Sequence, residues 1–221
     1  RSSAQRQRRS NWLVNRLLEL GPTFIKIGQS LSTRADLIPP EYIQALSQLQ
    51  DRVPPFDSQT AIAVIETELN QPIDQLFHSF EPFPLASASL GQVHRGILPT
   101  GEAIVIKVQR PGLESLLNSD FEMLHQGIRL AKRWLPGFKN FARKYDIEAI
   151  YQEFFGLLFQ EIDYIHEGKN ADRFRVNFSD YPQVKVPIIY WQYTTRKVLT
   201  LEYLPGIKVD DRESLNAQGI N

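Results

Sequence analysis

The stretch "PLASASLGQVHRG", residues 84–96, decides how this chain folds. It reads as a strand, a tight loop and a second strand. A hairpin turn, "LPTGE" with Gly101, then leads into "GEAIVIKVQRPG", residues 101–112. The three expected strands are Phe83–Ser87, Gln92–Leu98 and Glu102–Gln109. Side chains alternate along a strand. Ala103, Val105, Lys107 and Gln109 therefore share one face, and Ile104, Ile106 and Val108 the other. Lys107 extends an otherwise apolar face; taken alone, it reads equally as a lysine snorkelling from a strand end. The loop before it holds Ala86, Ser87, Ala88 and Ser89, with a single glycine, Gly91.

Outward from this stretch, the chain on its N-terminal side is helical. Residues 11–20 carry Trp12, Leu13, Leu17 and Leu20 at helical spacing. Gly21-Pro22 breaks that helix and opens the next, residues 22–36. There Phe24, Ile27, Gly28, Leu31 and Ala35 share one face, and Lys26, Gln29, Ser30 and Thr33 another. Pro39-Pro40 starts a helix to about Gln50. Asp57 caps a helix from Ser58 to Leu69, and "PIDQLFHSF" reads as a short helix. On the C-terminal side, Pro111 opens a helix to about Trp134, "LPGFKN" is a loop, and Asp146 caps one long helix to about Phe174. Two more strands follow, "VKVPIIYW" and "RKVLTLEYL". The fold class is α+β: a five-stranded antiparallel sheet with two long helices, preceded by a helical extension. The division is a disordered basic tail at 1–10, the extension at 11–80, a strand-rich lobe at 81–205, and the start of a further segment at 206–221.

Composition bounds the function. The chain has 221 residues and a formal net charge of zero, which gives no support for nucleic-acid binding. Without cysteine there is no disulfide framework and no thiolate metal site. No apolar run is long enough to span a bilayer. The chain starts on Arg1 and stops at Asn221 within a polar stretch, so it reads as part of a longer protein. The arginines at 1, 6, 8 and 9 suit a solvated terminus, with a membrane-surface or transit-type segment as the alternative.

The long helix carries an anomaly. Phe154, Leu157, Leu158, Glu161 and Ile165 fall on one stripe, and Glu161 interrupts it. A carboxylate there calls for a cation. Asp163 and Glu167 share a different face, where a solvated acidic patch is the plainer reading.

Loop, strand and lysine stand in the order of a protein-kinase nucleotide lobe. With "KIGQ" at 26–29, "ASASLGQVH" at 86–94, "VIKVQRPG" at 105–112 and "QEIDYIHEGKN" at 160–170, the chain resembles the UbiB-type (AarF-domain) atypical kinase-like family across roughly residues 12–210. The resemblance implies that Lys107 contacts the α- and β-phosphates of ATP or ADP with Mg, and that Glu167 is its ion-pair partner. It implies a nucleotide-facing loop of Ala86, Ser87, Ala88, Ser89, Leu90 and Gly91, with Val93 behind it. Glu202 and Leu204 in "LEYLPG" would meet adenine through backbone groups. Glu161 and Asp163 would hold Lys26 and Gln29 of the K-x-G-Q helix.

The family's loop usually reads A-A-A-S, and Ser87 departs from it. The catalytic-loop Asp and Asn and the metal-binding Asp-Phe-Gly do not occur before Asn221, so the chain alone is expected to be inactive and to lack a metal site. Alanine methyls stiffen a loop that glycine would let close on phosphates. The implied role is a nucleotide-dependent ATPase or small-molecule kinase tied to isoprenoid-quinone or lipid metabolism, on the cytoplasmic side and peripheral to a membrane. Membrane lipid, quinone-pathway proteins and a second copy of the chain are the partners considered. The alternative is a pseudokinase-like module that senses nucleotide or lipid without turnover. A helical scaffold decorated by strands would leave Lys107 and Glu161 unexplained.

Overall fold

Asp57 begins the layer on which the sheet rests. In the computed structural model, which describes residues 3–35, 38–50, 54–207, 209 and 211–219, its carboxylate accepts the Thr60 N–H at 3.0 Å and caps a helix at Ser58–Leu69. Numbered in chain order, the helices are α1 (Ser3–Leu20), α2 (Pro22–Leu31), α3 (Pro40–Ser47), α4 (Ser58–Leu69), α5 (Ile73–Leu76), α6 (Leu113–Trp134), α7 (Phe138–Lys144), α8 (Ile147–Glu161), α9 (Tyr164–Asn177) and α10 (Arg212–Ala217). The strands are β1 (Ser79–Phe80), β2 (Ala86–Ser87), β3 (Gly91–Ile97), β4 (Ala103–Gln109) and β5 (Val198–Glu202).

These strands form one five-stranded antiparallel sheet in the order β1-β3-β4-β5, with β2 also paired to β3. β1 and β2 share one edge of β3, opposite Gly96–Ile97 and Gln92–Val93 respectively. The first expected strand, Phe83–Ser87, thus shrinks to Ala86–Ser87. Pro82 and Pro84 have no N–H to give the ladder, and Ser79–Phe80 takes the rest of that edge. "VKVPIIYW" likewise makes only an isolated bridge, Ile189 to Leu201. Pro187 lacks a donor, and a 3-10 turn at Trp191–Tyr193 follows at once.

The alternation expected along β4 places the core. Ile104, Ile106 and Val108 are buried with Ala61, Ile65, Leu76 and Phe77 of α4 and the α5 region. α4 and α5 therefore complete the sheet's own core. α1–α3 make a separate cluster around Val14, Leu17, Ile25, Ala45, Leu46 and Leu49, so the extension is two structures in one segment. The start of the expected tail lies outside the described residues, but residues 3–10 are the first turns of α1. They are tied to α3 by a 2.7 Å ion pair between Arg6 and Glu41.

Three further expectations need correction. The helix expected over 22–36 stops at Leu31, and residues 36–37 lie outside the described residues. "LPGFKN" is a turn followed by α7, because Gly137 takes a left-handed conformation (φ 83°) and starts a new helix. The single helix expected from Asp146 to Phe174 is two. It breaks at Ile162–Asp163, where the Asp163 carboxylate accepts the Ile165 and His166 N–H groups and caps α9. α6 and α8 run antiparallel: Leu117 and Leu158 share a core cluster, the Tyr151 hydroxyl donates to the Phe121 carbonyl at 2.9 Å, and Lys132 meets Glu148 at 2.9 Å.

A polar network inside the sheet explains the "GQVH" of the opening stretch. Gln92 and His94 are fully buried. Gln92 Oε1 accepts the Phe56 N–H at 3.0 Å, which leaves its amide nitrogen to donate to His94 Nε2 at 2.9 Å. His94 Nδ1–H then donates to the Glu81 carbonyl at 2.9 Å. A proton on Nε2 would face an N–H donor. Burial pushes the imidazole pKa below its ordinary 6.5, against the smaller opposing effect of the Glu81 bond. The folded state resists a proton that the unfolded chain accepts. Stability is therefore full above pH about 6.5 and falls as the pH drops below it through the lowered folded-state value. Urea unfolding followed from pH 8 downward should show this loss, and His94→Gln should flatten the slope. An equal slope in the variant would assign the effect elsewhere.

Candidate functional site

Lys107 stands on the face of β4 turned away from α4, with Val93 and Leu199 as its cross-strand neighbours. Its Nζ meets Glu167 Oε2 at 2.6 Å, and both side chains keep partial exposure, 30% and 44%. The break at Asp163 makes this pairing. Glu161 and Glu167 are six apart, so an uninterrupted helix would set them roughly 120° apart on one axis. Capping by Asp163 starts a new axis at Tyr164. Glu161, ending α8, then pairs with Lys26 of α2, while Glu167 in the first turn of α9 pairs with Lys107. Trp191 packs against Gly168 and donates from Nε1 to Asp172 at 2.8 Å, which holds α9 in place.

Tyr164, which sequence reasoning passed over, lies between these parts. It is 1% exposed, and the Lys107 Nζ sits 4.7 Å from its ring centroid. Its hydroxyl has no hydrogen-bond partner among the described residues, and burial, with the Glu167 and Glu161 charges adding, pushes its pKa far above the usual range. A Cβ at Gly91 would lie 2.6 Å from that hydroxyl and closer still to the Val108 carbonyl. Gly91 does not have a positive φ. This glycine is required for space.

The rest of the loop follows from that contact. Ala88 N–H bonds to the Gly91 carbonyl at 2.8 Å, so β2 and β3 close on a two-residue tip, Ser89-Leu90. Ser89 and Leu90 are buried, at 2% and 7% exposure, and Leu90 joins Leu113, Leu117 and Leu158 in the core. Ala86 and Ala88 face outward, Val93 is half-buried beside Lys107, and the Ser87 Oγ is enclosed without a partner among the described residues. The loop is anchored at its tip, where a glycine-rich loop would hang free.

At the end of β4 away from the loop, Tyr203 N–H bonds to the Ala103 carbonyl, while at the loop end Gln109 N–H bonds to the Lys197 carbonyl. That register turns Glu202 away from β4, and its N–H is taken by the Ile188 carbonyl at 2.8 Å. The Glu202 carbonyl and the Leu204 N–H have no partner among the described residues. These are one acceptor and one donor of the kind that read an adenine edge.

The K-x-G-Q helix is only partly as expected. Lys26 pairs with Glu161, with side-chain exposures of 23% and 42%. Asp163 does not reach Lys26: it caps α9 and faces Arg196 at 3.4 Å. Gln29 bonds to the Leu49 carbonyl at 3.1 Å, inside the extension. Its carboxamide fits a buried carbonyl better than an already satisfied carboxylate. Gly28 brings α2 against Leu17, Leu46 and Leu49. A second fastening was missed: the Thr23 hydroxyl donates to Asp120 of α6, both buried, at 0% and 6% exposure. A threonine at a helix start and an aspartate amid polar neighbours carry no sequence signal for each other.

The residues present fit a nucleotide: a cation held by a carboxylate for the phosphates, and free backbone groups for a base. Among the described residues no group of three His, Asp or Glu is placed to hold a metal ion, so ligands for Mg are not assigned to this chain.

Five comparisons bear on the site. A family profile described as the ABC1 atypical kinase-like domain matches residues 48–221. An uncharacterized Synechocystis protein is 76% identical over all 221 residues, which make up 39% of that protein. The Arabidopsis thaliana chloroplastic protein ACTIVITY OF BC1 COMPLEX KINASE 7 is 47% identical over 221 residues, 31% of its length. A probable protein kinase UbiB of Marinobacter nauticus is 41% identical over 207 residues, 93% of this chain and 37% of its own. The chain thus spans well under half of these relatives. Among solved structures, a Mycobacterium tuberculosis protein in complex with erythromycin aligns with a TM-score of 0.58 at 29% identity, covering 82% of this chain and 44% of the other.

Two comparisons of variants test the geometry. Thr23→Val leaves a buried carboxylate unpaired and should cost about 1–3 kcal/mol or more. Lys26→Ala breaks a part-exposed pair and should cost about 0–1 kcal/mol. Equal melting temperatures would refute that ranking. Gly91→Ala drives a methyl into backbone and should cost about 1–3 kcal/mol. Ala88→Gly, at an exposed position, should cost only about 0.4–1 kcal/mol.

Proposed function

Because the chain belongs to the ABC1 atypical kinase-like family, we propose that it forms the nucleotide-binding lobe of an atypical kinase or ATPase, with ATP or ADP as ligand. One observation carries the proposal: Lys107 and Glu167, sixty positions apart in the chain, meet at 2.6 Å on the face of the sheet bounded by the loop and by Glu202 and Leu204. A lysine so held is oriented as a point charge toward phosphate oxygens. Its amine also lies against the Tyr164 ring beneath it, 4.7 Å from the centroid. The carboxylates that position Mg and the transferred phosphoryl group would come from beyond this lobe.

The anchored loop supports a restricted chemistry. With Leu90 buried and Gly91 pressed on Tyr164, the backbone between them is not free to wrap a terminal phosphate. That favours ATP hydrolysis or transfer to a small acceptor over phosphorylation of protein substrates. We extend the proposal to a role in isoprenoid-quinone or other lipid metabolism at a membrane surface. The contact proposed is peripheral. Among the described residues no helix is long and apolar enough to cross a membrane.

The test is calorimetry of the full-length protein that carries this chain, with MgATP and MgADP. Lys107→Ala should weaken nucleotide binding by about tenfold or more, the loss of roughly 1.4 kcal/mol. Glu167→Gln should weaken it less, because the lysine remains but loses its restraint. Unchanged affinity in Lys107→Ala would overturn the assignment. Tight binding without turnover in the wild type would favour a nucleotide-sensing module.

A further inference from the structure

α6 is buried only over its first half. Its buried residues are Leu113, Leu117, Asp120 and Phe121, all in the N-terminal part. With α8 running back alongside, the remainder projects as an arm of roughly 20 Å at 1.5 Å per residue. α7 lies across the tip. The tip is apolar and exposed: Trp134 at 70%, Leu135 at 57%, Phe141 at 50% and Tyr145 at 43%. Phe138, Phe141 and Tyr145 stack in series along α7, with centroids 5.9 and 4.8 Å apart.

The same segment is the most basic in the chain. Residues 132–145 hold five cations, Lys132, Arg133, Lys139, Arg143 and Lys144, and no Asp or Glu, in a chain of zero formal net charge. The adjacent carboxylates are already engaged. Glu148 takes Lys132 and His125, and Asp146 caps α8. Arg133 and Lys144 lie against the rings of Trp134 and Tyr145, at 5.3 and 5.2 Å from their centroids. Each of these two cations therefore lies beside an exposed aromatic ring.

We propose that this arm tip docks on an anionic lipid surface. Trp134, Phe141 and Tyr145 would sit at headgroup depth and the cations on lipid phosphates. The inference rests on the membrane-peripheral part of the reading above and gives it a location. A second copy of the chain is the poorer occupant, because a two-fold interface would set these cations against themselves. A nucleic acid is poorer too. Base stacking uses rings, and it leaves the exposed Leu130 and Leu135 without a role.

The experiment is flotation of the full-length protein with vesicles of phosphatidylcholine, alone or mixed with phosphatidylglycerol. Binding should require phosphatidylglycerol and fall about tenfold or more between about 0.1 and 1 M salt. Arg133→Glu/Lys139→Glu/Lys144→Glu should abolish it, and Trp134→Ser should weaken it several-fold. Hydrogen exchange on the wild type reads the same surface without a variant: residues 132–145 should gain protection when phosphatidylglycerol vesicles are added. Binding retained by the triple variant, with residues 132–145 unprotected, would overturn the location and leave a membrane contact elsewhere. A wild type that never floats would overturn the membrane reading itself. Capture by a single-stranded oligonucleotide in place of vesicles would also sink the proposal, as would a lipid-independent dimer lost in Trp134→Ser. No nucleotide enters these measurements, so they leave the Lys107 assignment untouched.

Discussion

Asp163 stops one helix and starts the next, and much of the molecule depends on that. Its carboxylate gives the Ile165 and His166 N–H groups a partner that the preceding helix would otherwise supply. Continuing α8 would satisfy those donors equally well. The side chain tips the balance because a short acidic group at a cap position also favours the positive end of the helix dipole. Once the axis changes, two carboxylates on one segment serve two different lysines. One pair fastens the extension to the lobe, and the other orients the candidate nucleotide lysine. The Tyr164 N–H, just past the break, bonds to the Arg196 carbonyl at 3.1 Å and ties α9 to the approach of β5.

Tyr164 transmits the consequence to the loop. A buried aromatic beneath Lys107 fills the space under β4, and its hydroxyl leaves room for nothing larger than a hydrogen at Gly91. The loop is then pinned from two directions, by Gly91 on Tyr164 and by Leu90 in the α6–α8 core. A loop held this way gains nothing from glycine elsewhere, since glycine would only add conformational entropy to the unfolded chain. The alanines at 86 and 88 are compatible with strand geometry and cost less entropy to order. The missing glycines and the presence of Tyr164 are two sides of one packing arrangement.

The extension shows how energy is divided between visible and hidden contacts. Lys26 and Glu161 are conspicuous, yet both keep water, and exposed pairs contribute little. Thr23 and Asp120 are inconspicuous and buried, where an unmade bond is expensive. Gly28 belongs to the same logic: it permits close approach of α2 to three leucines, so the motif's glycine packs the extension while its lysine faces the lobe. The α6–α8 arm stands apart from this economy. Its tip buries little and concentrates charge, as an element selected for contact outside the fold would.

Much of this was legible in the order of residues. Asp57, Gly101 and the alternation along 103–109 are local signals, and each specifies geometry through its nearest neighbours in the chain. The pairing of Lys107 with Glu167 was legible through the family resemblance, because four motifs in order constrain one another. Other features had no local signature. The edge of β3 was shared by Ser79–Phe80 and Ala86–Ser87 because prolines interrupt the strand between them. The long helix divided because a cap won over continuation, a choice between two nearly equal hydrogen-bond sets that depends on what Glu161 and Glu167 find across space. Gln29, Asp163 and Thr23 took partners 20 to 97 positions away, where spacing along the chain carries no information. The sequence by itself determined the helical extension, the hairpin around Gly101 and the alternation of faces along β4. Only the tertiary structure decided which polar groups met, since burial is a property of the assembled molecule and the cost of an unpaired buried group exists only there.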